Sequence, residues 1–317
     1  MTTRRQFLKL SLAYGVLYSF PIVPFATCAT IKVINPMKKN KPQKAVVLWY
    51  SQTNHTQRIG KLISSTWQKN DIQTTAMDIR SFDLTTISSY DLIALGSPVH
   101  YCDVPDNVKD WINRIPDIKG IPIASFVTYG GPGDAEYHTG FSILDMLAEK
   151  GGIPIGMNKF GNMSTFAPTW SIGNEKRILK YKHLPNEETY QNARNFAQYL
   201  VENVKNNLQF DLKKTFYLDN YYRYLPQRWF SKLLINRHTI SKEKCIGCLT
   251  CVEKCPVNAI DPDNARVDTK KCIACMGCVN NCPAQAIDME FMGKKVIGFF
   301  EFLKQNQITI KESDELL

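Results

Sequence analysis

The chain reads as an α/β protein, a doubly wound parallel sheet followed by a small α+β domain built on cysteines. Three observations predict this. From Lys44 onward, short β-rich runs alternate with longer helical patterns, as strands with crossover helices do. Near the C-terminus eight cysteines form two copies of one pattern, Cys245, Cys248, Cys251, Cys255-Pro256 and Cys272, Cys275, Cys278, Cys282-Pro283. The chain has 317 residues, and the cysteine segment needs only about the last quarter of them, so a separate domain must precede it.

Composition fits folded, soluble domains, with 44% hydrophobic and 21% charged residues. The formal net charge is +10. Between Lys242 and Asp288 acidic and basic side chains are equal in number, so the excess lies at the N-terminus and just before the cysteines. No nucleic-acid-binding motif accompanies that charge, and nucleic acid is not expected as a partner.

Residues 1–29 read as a signal peptide. Thr3-Arg4-Arg5-Gln6-Phe7-Leu8-Lys9 precedes an apolar stretch from Leu10 to Phe25, which ends in Ala26-Thr27-Cys28-Ala29. Paired arginines followed by Phe-Leu-Lys resemble the twin-arginine export signal. That resemblance implies transport after folding, cleavage after Ala29 and a periplasmic or otherwise extracytoplasmic location. An uncleaved anchor is the alternative, although the run is short for a membrane span and broken by Pro21 and Pro24. Cys28 invites lipidation, but Phe25-Ala26-Thr27 makes a poor lipobox.

The sheet domain is expected over residues 44–206. Ala45 to Tyr50 is a buried strand, and Ser51-Gln52-Thr53-Asn54-His55-Thr56 links it to a helix carrying Ile59, Leu62, Ile63 and Trp67. Hydroxyl and amide side chains at a helix N-terminus suit a phosphate, because free backbone N–H groups and the helix dipole favour an anion. Such hydroxyls also serve as plain helix caps. Asp91 to Tyr101 holds the third strand and its turn, and a helix through Val108 and Trp111 follows. The strand Ile123 to Thr128 then runs into Tyr129-Gly130-Gly131-Pro132-Gly133. Ligands of open parallel sheets bind outside the carboxyl ends of strands where strand order reverses, and three loops lie at such ends. Trp49 and Trp111 read as core, and Trp170, in the loop after the fifth strand, as core or site lining. His55 reads as an exposed loop side chain, His100 as a bystander and Cys102 as a plain thiol. A helix over residues 187–204 closes the domain.

Residues 207–240 form an aromatic and basic connector that includes Lys213, Lys214, Phe216, Tyr217, Tyr221, Tyr222, Tyr224, Trp229 and Phe230. Aromatic side chains mixed with Lys and Arg suit a peripheral membrane contact or a partner surface. Packing between two domains is preferred, because the stretch is too apolar to stay disordered. In the tail, residues 291–317, the run from Phe291 to Leu303 reads as a helix covering the cysteine domain.

Cysteine spacing of this kind points to iron–sulfur clusters over residues 241–290. Zinc also takes paired C-x2-C motifs, but a zinc site closes with four ligands and does not explain a duplicated run of four. Three-residue spacing inside a loop makes strained disulfides. The C-x2-C-x2-C-x3-C-P run resembles that of bacterial ferredoxins with two 4Fe-4S clusters, in which the fourth cysteine of each run ligates the other cluster. The resemblance assigns Cys245, Cys248, Cys251 and Cys282 to cluster 1, and Cys272, Cys275, Cys278 and Cys255 to cluster 2.

With these elements in place, residues 44–204 resemble a flavodoxin, and the whole chain resembles fused flavodoxin–ferredoxin proteins. The resemblance implies a flavodoxin-like fold and FMN as cofactor. Ser51, Thr53 and Thr56 would meet its phosphate along the loop that holds His55. Ser97, Pro98 and Tyr101, and Thr128, Tyr129, Gly130 and Gly131, would flank the isoalloxazine, with Tyr101 at the position of a ring-stacking aromatic. Asn54 stands where the family usually has glycine, and asparagine tolerates the left-handed conformation better than most residues. The implied function is electron transfer between two 4Fe-4S clusters and FMN, coupling one-electron to two-electron carriers. Partners would be redox donor and acceptor proteins or a small oxidant, and the sequence leaves the oligomeric state open. Two alternatives remain: a flavin-dependent reductase of an organic substrate, with His100, Tyr129 or His138 as proton donor, and a ferredoxin fused to a flavin-free docking domain.

Overall fold

A computed structural model of the chain describes residues 37–39, 41–131, 135–212 and 227–316. The export-signal reading, the aromatics from Phe216 to Tyr224, and Pro132 and Gly133 lie outside the described residues.

Five strands form one parallel sheet: β1 (Lys44–Trp49), β2 (Gln73–Asp78), β3 (Leu92–Pro98), β4 (Pro122–Tyr129) and β5 (Ile153–Gly161). Their order is β2-β1-β3-β4-β5, and every neighbouring pair is parallel. This is the flavodoxin-like doubly wound order, whose switch point lies between β1 and β3. Period-two alternation assigns the two faces. Ala45, Val47 and Trp49 enter one core with Ile59, Leu62, Ile63 and Trp67 of α1 (His55–Gln68) and with Tyr190, Phe196 and Leu200 of the helix Glu187–Lys205. Val46, Leu48 and Tyr50 enter the other with Val108, Trp111 and Ile112 of α2 (Asp106–Asn113) and Ile143, Leu144 and Leu147 of α3 (Ala135–Glu149). Helices thus cover both faces, and β1 is apolar throughout because neither face meets water. Helix α1 lies close to the sheet at Gly60, where an added Cβ would stand 2.5 Å from Trp49 Cε3.

After β5 the chain runs through two short helices, α4 (Pro168–Ser171) and α5 (Glu175–Leu179), before α6 (Glu187–Lys205). Helix α6 starts in a capping box: Asn186 Oδ1 accepts from Thr189 N at 3.0 Å, and Thr189 Oγ1 accepts from Asn186 N at 3.3 Å. Such caps contribute about 1 kcal/mol.

The cysteine domain follows α7 (Gln227–Leu234). Its main sheet pairs β6 (Ile235–Ile240) with β9 (Ile287–Phe291), and β9 with β10 (Lys294–Lys295), all antiparallel. Between them lie α8 (Thr250–Glu253), the hairpin of β7 (Ile260–Asp261) and β8 (Arg266–Val267), and α9 (Gly277–Asn281). Residues 235–240, read from sequence as the end of a connector, are therefore a strand of this sheet. The tail differs similarly, since Phe291 ends β9 and the helix α10 spans only Phe299–Gln305. Trp229 and Phe230, expected to pack between domains, are 55% and 45% exposed and lie edge-to-face on each other. Among the described residues no helix is long and apolar enough to cross a membrane.

A third core joins the two domains. Met163, Ala167, Trp170 and Ile178 from the segment after β5 pack with Val279, Phe299 and Phe302. Trp170 stacks on Phe302 with ring centroids 4.6 Å apart, and its indole N–H donates to Ile297 O at 2.8 Å. This settles Trp170 as core. Beyond α10 the tail returns to the parallel-sheet domain: Arg58 makes a bidentate ion pair with Glu312, and the Tyr190 hydroxyl donates to Lys311 O at 2.6 Å.

Candidate functional site: two cluster loops against the carboxyl ends of the sheet

Each cysteine run wraps its loop in the same way. Gly247 and Ala274, Leu249 and Met276, and Asn258 and Gln285 stand at matching places in the two copies, and all have positive φ, between 50° and 69°. A left-handed residue between ligands turns the backbone N–H groups inward. The amides of Ala259 and Ala286 each donate to the fourth sulfur of their run, Cys255 Sγ and Cys282 Sγ, both at 3.2 Å.

The sulfurs group across the runs. Burial, and after it the charge of Cys282, raises the Cys251 thiol pKa. Burial, then Cys275, Cys272 and Cys255, raises that of Cys278 far above its usual range. Cys282 is thus a charged neighbour of Cys251 in the first run, and Cys255 a neighbour of Cys272, Cys275 and Cys278 in the second. Among the described residues no three His, Cys, Asp or Glu side chains converge on one ion's position. The matching second cysteines of the two runs differ in depth. Cys248 is exposed, beside Ile246 and Leu249 at 68% and 51% exposure. Cys275 is half-buried, and burial pushes its thiol up to about 11, so only a bound metal would keep it ionised near neutral pH. His238, sequestered beside the second run, has Nε2 3.5 Å from Cys278 Sγ and a pKa lowered by burial to about 4.

The loop after β1 is built for an anion. Asn54 has φ 67° and ψ −1°, the left-handed conformation usually left to glycine. No side chain caps α1, and its first turn holds no acidic residue, so helix-start N–H groups stay available. Ser51 and Thr53 are buried at its mouth, while the Thr56 and Thr128 hydroxyls share a buried 2.8 Å hydrogen bond. His55 is buried, not exposed as its loop position suggested. Neither ring nitrogen has a hydrogen-bond partner, its ring lies edge-on to Phe299 at 5.7 Å, and burial, helped by Arg58, lowers its pKa to about 3. Arg58, the nearby cation, is turned aside by Glu312 and reaches only Thr53 O, at 3.4 Å.

Cluster 2's loop sits against this end of the sheet. Gln52 Nε2 donates to Cys275 Sγ at 2.8 Å, and the Tyr101 hydroxyl donates to Ala274 O at 2.6 Å. The first run also meets the sheet domain, where the Arg80 guanidinium, held by Asp78, donates to Glu253 O at 2.9 Å. Tyr101, with φ 50°, also lies edge-on to Phe166. At the third loop, an added Cβ on Gly130 would stand 2.1 Å from Ser164 Cα, so this turn is filled by the segment after β5. The Ser97 hydroxyl donates to Pro98 O at 2.9 Å, and Pro98 ends β3. Tyr129 ends β4 with Lys159 Nζ 5.4 Å from its ring centroid, and Lys159 pairs with Glu136 at 2.8 Å. His100 is desolvated at the turn after β3, with its pKa lowered to about 4, and His138 is buried in α3.

Gln52, Arg80, Lys159, His238 and Phe299 were not singled out in sequence. Gln52 and Cys275 are 223 residues apart, and no local pattern announces such a contact.

The fold and the cysteine geometry together define an iron–sulfur protein of the electron-transfer class, with a flavodoxin-like sheet domain joined to a two-cluster domain. Residues 238–261 match one family model described as a 4Fe-4S binding domain, and residues 264–287 match a second of the same description. The chain thus holds two 4Fe-4S clusters. A comparison with curated proteins returns no match. Similar solved structures include a flavodoxin from the domain Archaea, at 16% identity over 51% of this chain and 99% of that one, with TM-score 0.39. Flavodoxin 1 and flavodoxin 2 from Bacillus cereus are 17% and 18% identical, each over 50% of this chain and over 97% and 98% of theirs, both at TM-score 0.40.

Proposed function

We propose that the chain conducts electrons between a redox partner at cluster 1 and FMN at the carboxyl ends of β1, β3 and β4. The observation that carries this reading is the contact of cluster 2's loop with both flavin loops, through Gln52 to Cys275 and Tyr101 to Ala274. The chain's own chemistry fits FMN. An uncapped helix start, two buried hydroxyls and a neutral imidazole with unpartnered nitrogens offer donors to a phosphate without opposing charge. Ser51, Thr53, Asn54, His55 and Thr56 would hold the phosphate, and Tyr101 with residues 97–98 and 128–131 would border the ring. FMN, when bound, supplies a centre that exchanges one or two electrons. The protein orders the centres: exposed Cys248 with Ile246 and Leu249 gives cluster 1 an outward face, while cluster 2's loop, with buried Cys278 and half-buried Cys275, lies against the sheet domain. Export by a twin-arginine route, with external donor and acceptor proteins or a small oxidant as partners, belongs to the same reading.

Anaerobic purification of the full chain with absorbance and cofactor analysis tests it. The expected result is one FMN beside two clusters' worth of iron. Protein with both clusters that takes up no FMN on incubation would refute the flavin half.

A further inference from the structure

Cys275 takes one hydrogen bond from its own loop, at the Gly277 amide, and a second from the other domain. Gln52 lies inside the loop read as the phosphate cradle, yet its side chain turns away and donates to Cys275 Sγ at 2.8 Å. An iron-bound thiolate has no proton to give, so the amide N–H must be the donor. The contact is enclosed: a Cβ on Gly277, in cluster 2's own loop, would stand 2.4 Å from Gln52 Nε2. Tyr50, two residues back along the chain, has its buried hydroxyl beside the same Cys275 sulfur. The first run's matching cysteine, Cys248, is exposed and has no such contact from the sheet domain among the described hydrogen bonds. Two clusters with the same ligand spacing therefore sit in different fields.

We infer that Gln52 is a positioning residue that raises the reduction potential of cluster 2, so that the loop read as the flavin-phosphate cradle also poises the neighbouring cluster. The effect on FMN rests on the flavin reading, whereas the effect on cluster 2 stands without it. Adding one electron to a cluster makes its thiolates more negative, with no bond made or broken. A donor to sulfur stabilises that reduced state and raises the potential. Because Gln52 belongs to the loop, an anion that draws the loop inward changes the same hydrogen bond.

The test is a redox titration of the full chain, followed by electron paramagnetic resonance, for wild type, Gln52→Met and Gln52→Glu, with and without added FMN. Methionine keeps the bulk and removes the donor, and glutamate keeps the shape and adds negative charge. The reduced-to-oxidised ratio of cluster 2 at fixed potential should fall about tenfold in Gln52→Met, equivalent to about 59 mV for one electron, and further in Gln52→Glu. Cluster 1 should not move. Added FMN should shift cluster 2 in wild type and not in Gln52→Met. Unchanged cluster 2 potentials in both variants, with iron content intact, would overturn the proposal. Equal shifts in both clusters would also overturn it, since they would reflect general loosening of the domain. If wild type takes up no FMN, the flavin reading falls, and the variants measured without FMN still decide the role of Gln52.

Discussion

Replacing Tyr101 by phenylalanine separates two roles that one side chain would combine. The aromatic ring stays, so any stacking on the flavin survives, but the 2.6 Å hydrogen bond to Ala274 O is lost. Ala274 lies between the ligands Cys272 and Cys275, and its carbonyl is left in a part-buried position without that donor. Leaving such a group unsatisfied costs about 1 to 3 kcal/mol, and about 1.4 kcal/mol is tenfold in an equilibrium. Local opening of residues 272–278 should therefore become about 5- to 150-fold more frequent. Hydrogen exchange of the cluster-loaded protein reads this directly as lost protection in that loop, while FMN affinity should change by no more than about twofold, given that the ring is conserved. Flavin-to-cluster electron transfer should slow in step with the opening. Unchanged exchange in residues 272–278, in protein with full iron content, would refute the claim that Tyr101 fastens cluster 2 to the sheet domain.

His55 titrates in the unfolded chain near 6.5 but in the fold only at about 3, so the unfolded state binds the extra proton. Its contribution is intact above pH 6.5 and declines by about 1.4 kcal/mol per pH unit below that. Urea midpoints should fall more steeply with acid in wild type than in His55→Asn, and parallel curves would contradict this burial. Cys282→Ser should remove the spectrum of the cluster bound by Cys245, Cys248 and Cys251, and loss of the other cluster instead would defeat the crossed grouping. Trp229→Ala with Phe230→Ala should abolish sedimentation with vesicles containing anionic lipid if the exposed pair on α7 rests on a membrane surface. Persistence of binding would exclude that role.

Much of this architecture is local and therefore readable. Continuous β-rich runs placed β1 and β4 within one residue at each end, because a strand buried on both faces leaves little choice of side chain. Cysteine spacing identified the iron–sulfur segment, because a cubane imposes its own separation on ligands along one loop. The left-handed Asn54 was legible for the same reason, since its conformation is set by one residue and the turn around it. What stayed hidden depends on how the domains meet. His55 looked like a surface residue because, within the sheet domain, a strand-to-helix loop faces water. Phe299 covers it, and Phe299 follows it by most of the chain. The segment 235–240 looked like linker because its partner strand β9 lies beyond both cysteine runs.

The same distinction bears on how the two domains are joined. Each cluster loop has its own internal logic, repeated at Gly247 and Ala274, Leu249 and Met276, and Asn258 and Gln285, so the duplication alone would yield two alike clusters. The asymmetry enters from outside the repeat. One copy faces solvent through Ile246, Cys248 and Leu249, and the other meets Gln52, Tyr50 and Tyr101. The tail maintains that arrangement by closing the chain back on the sheet domain, where Arg58 holds Glu312 and the Tyr190 hydroxyl holds Lys311 O. On the proposed reading, an electron on the outer cluster is accessible to partners, and one on the inner cluster has Gln52 as a donor that favours its staying reduced. A gradient of that kind needs no difference in ligands, only a neighbour on one side, which is why it could not be read from the cysteines themselves.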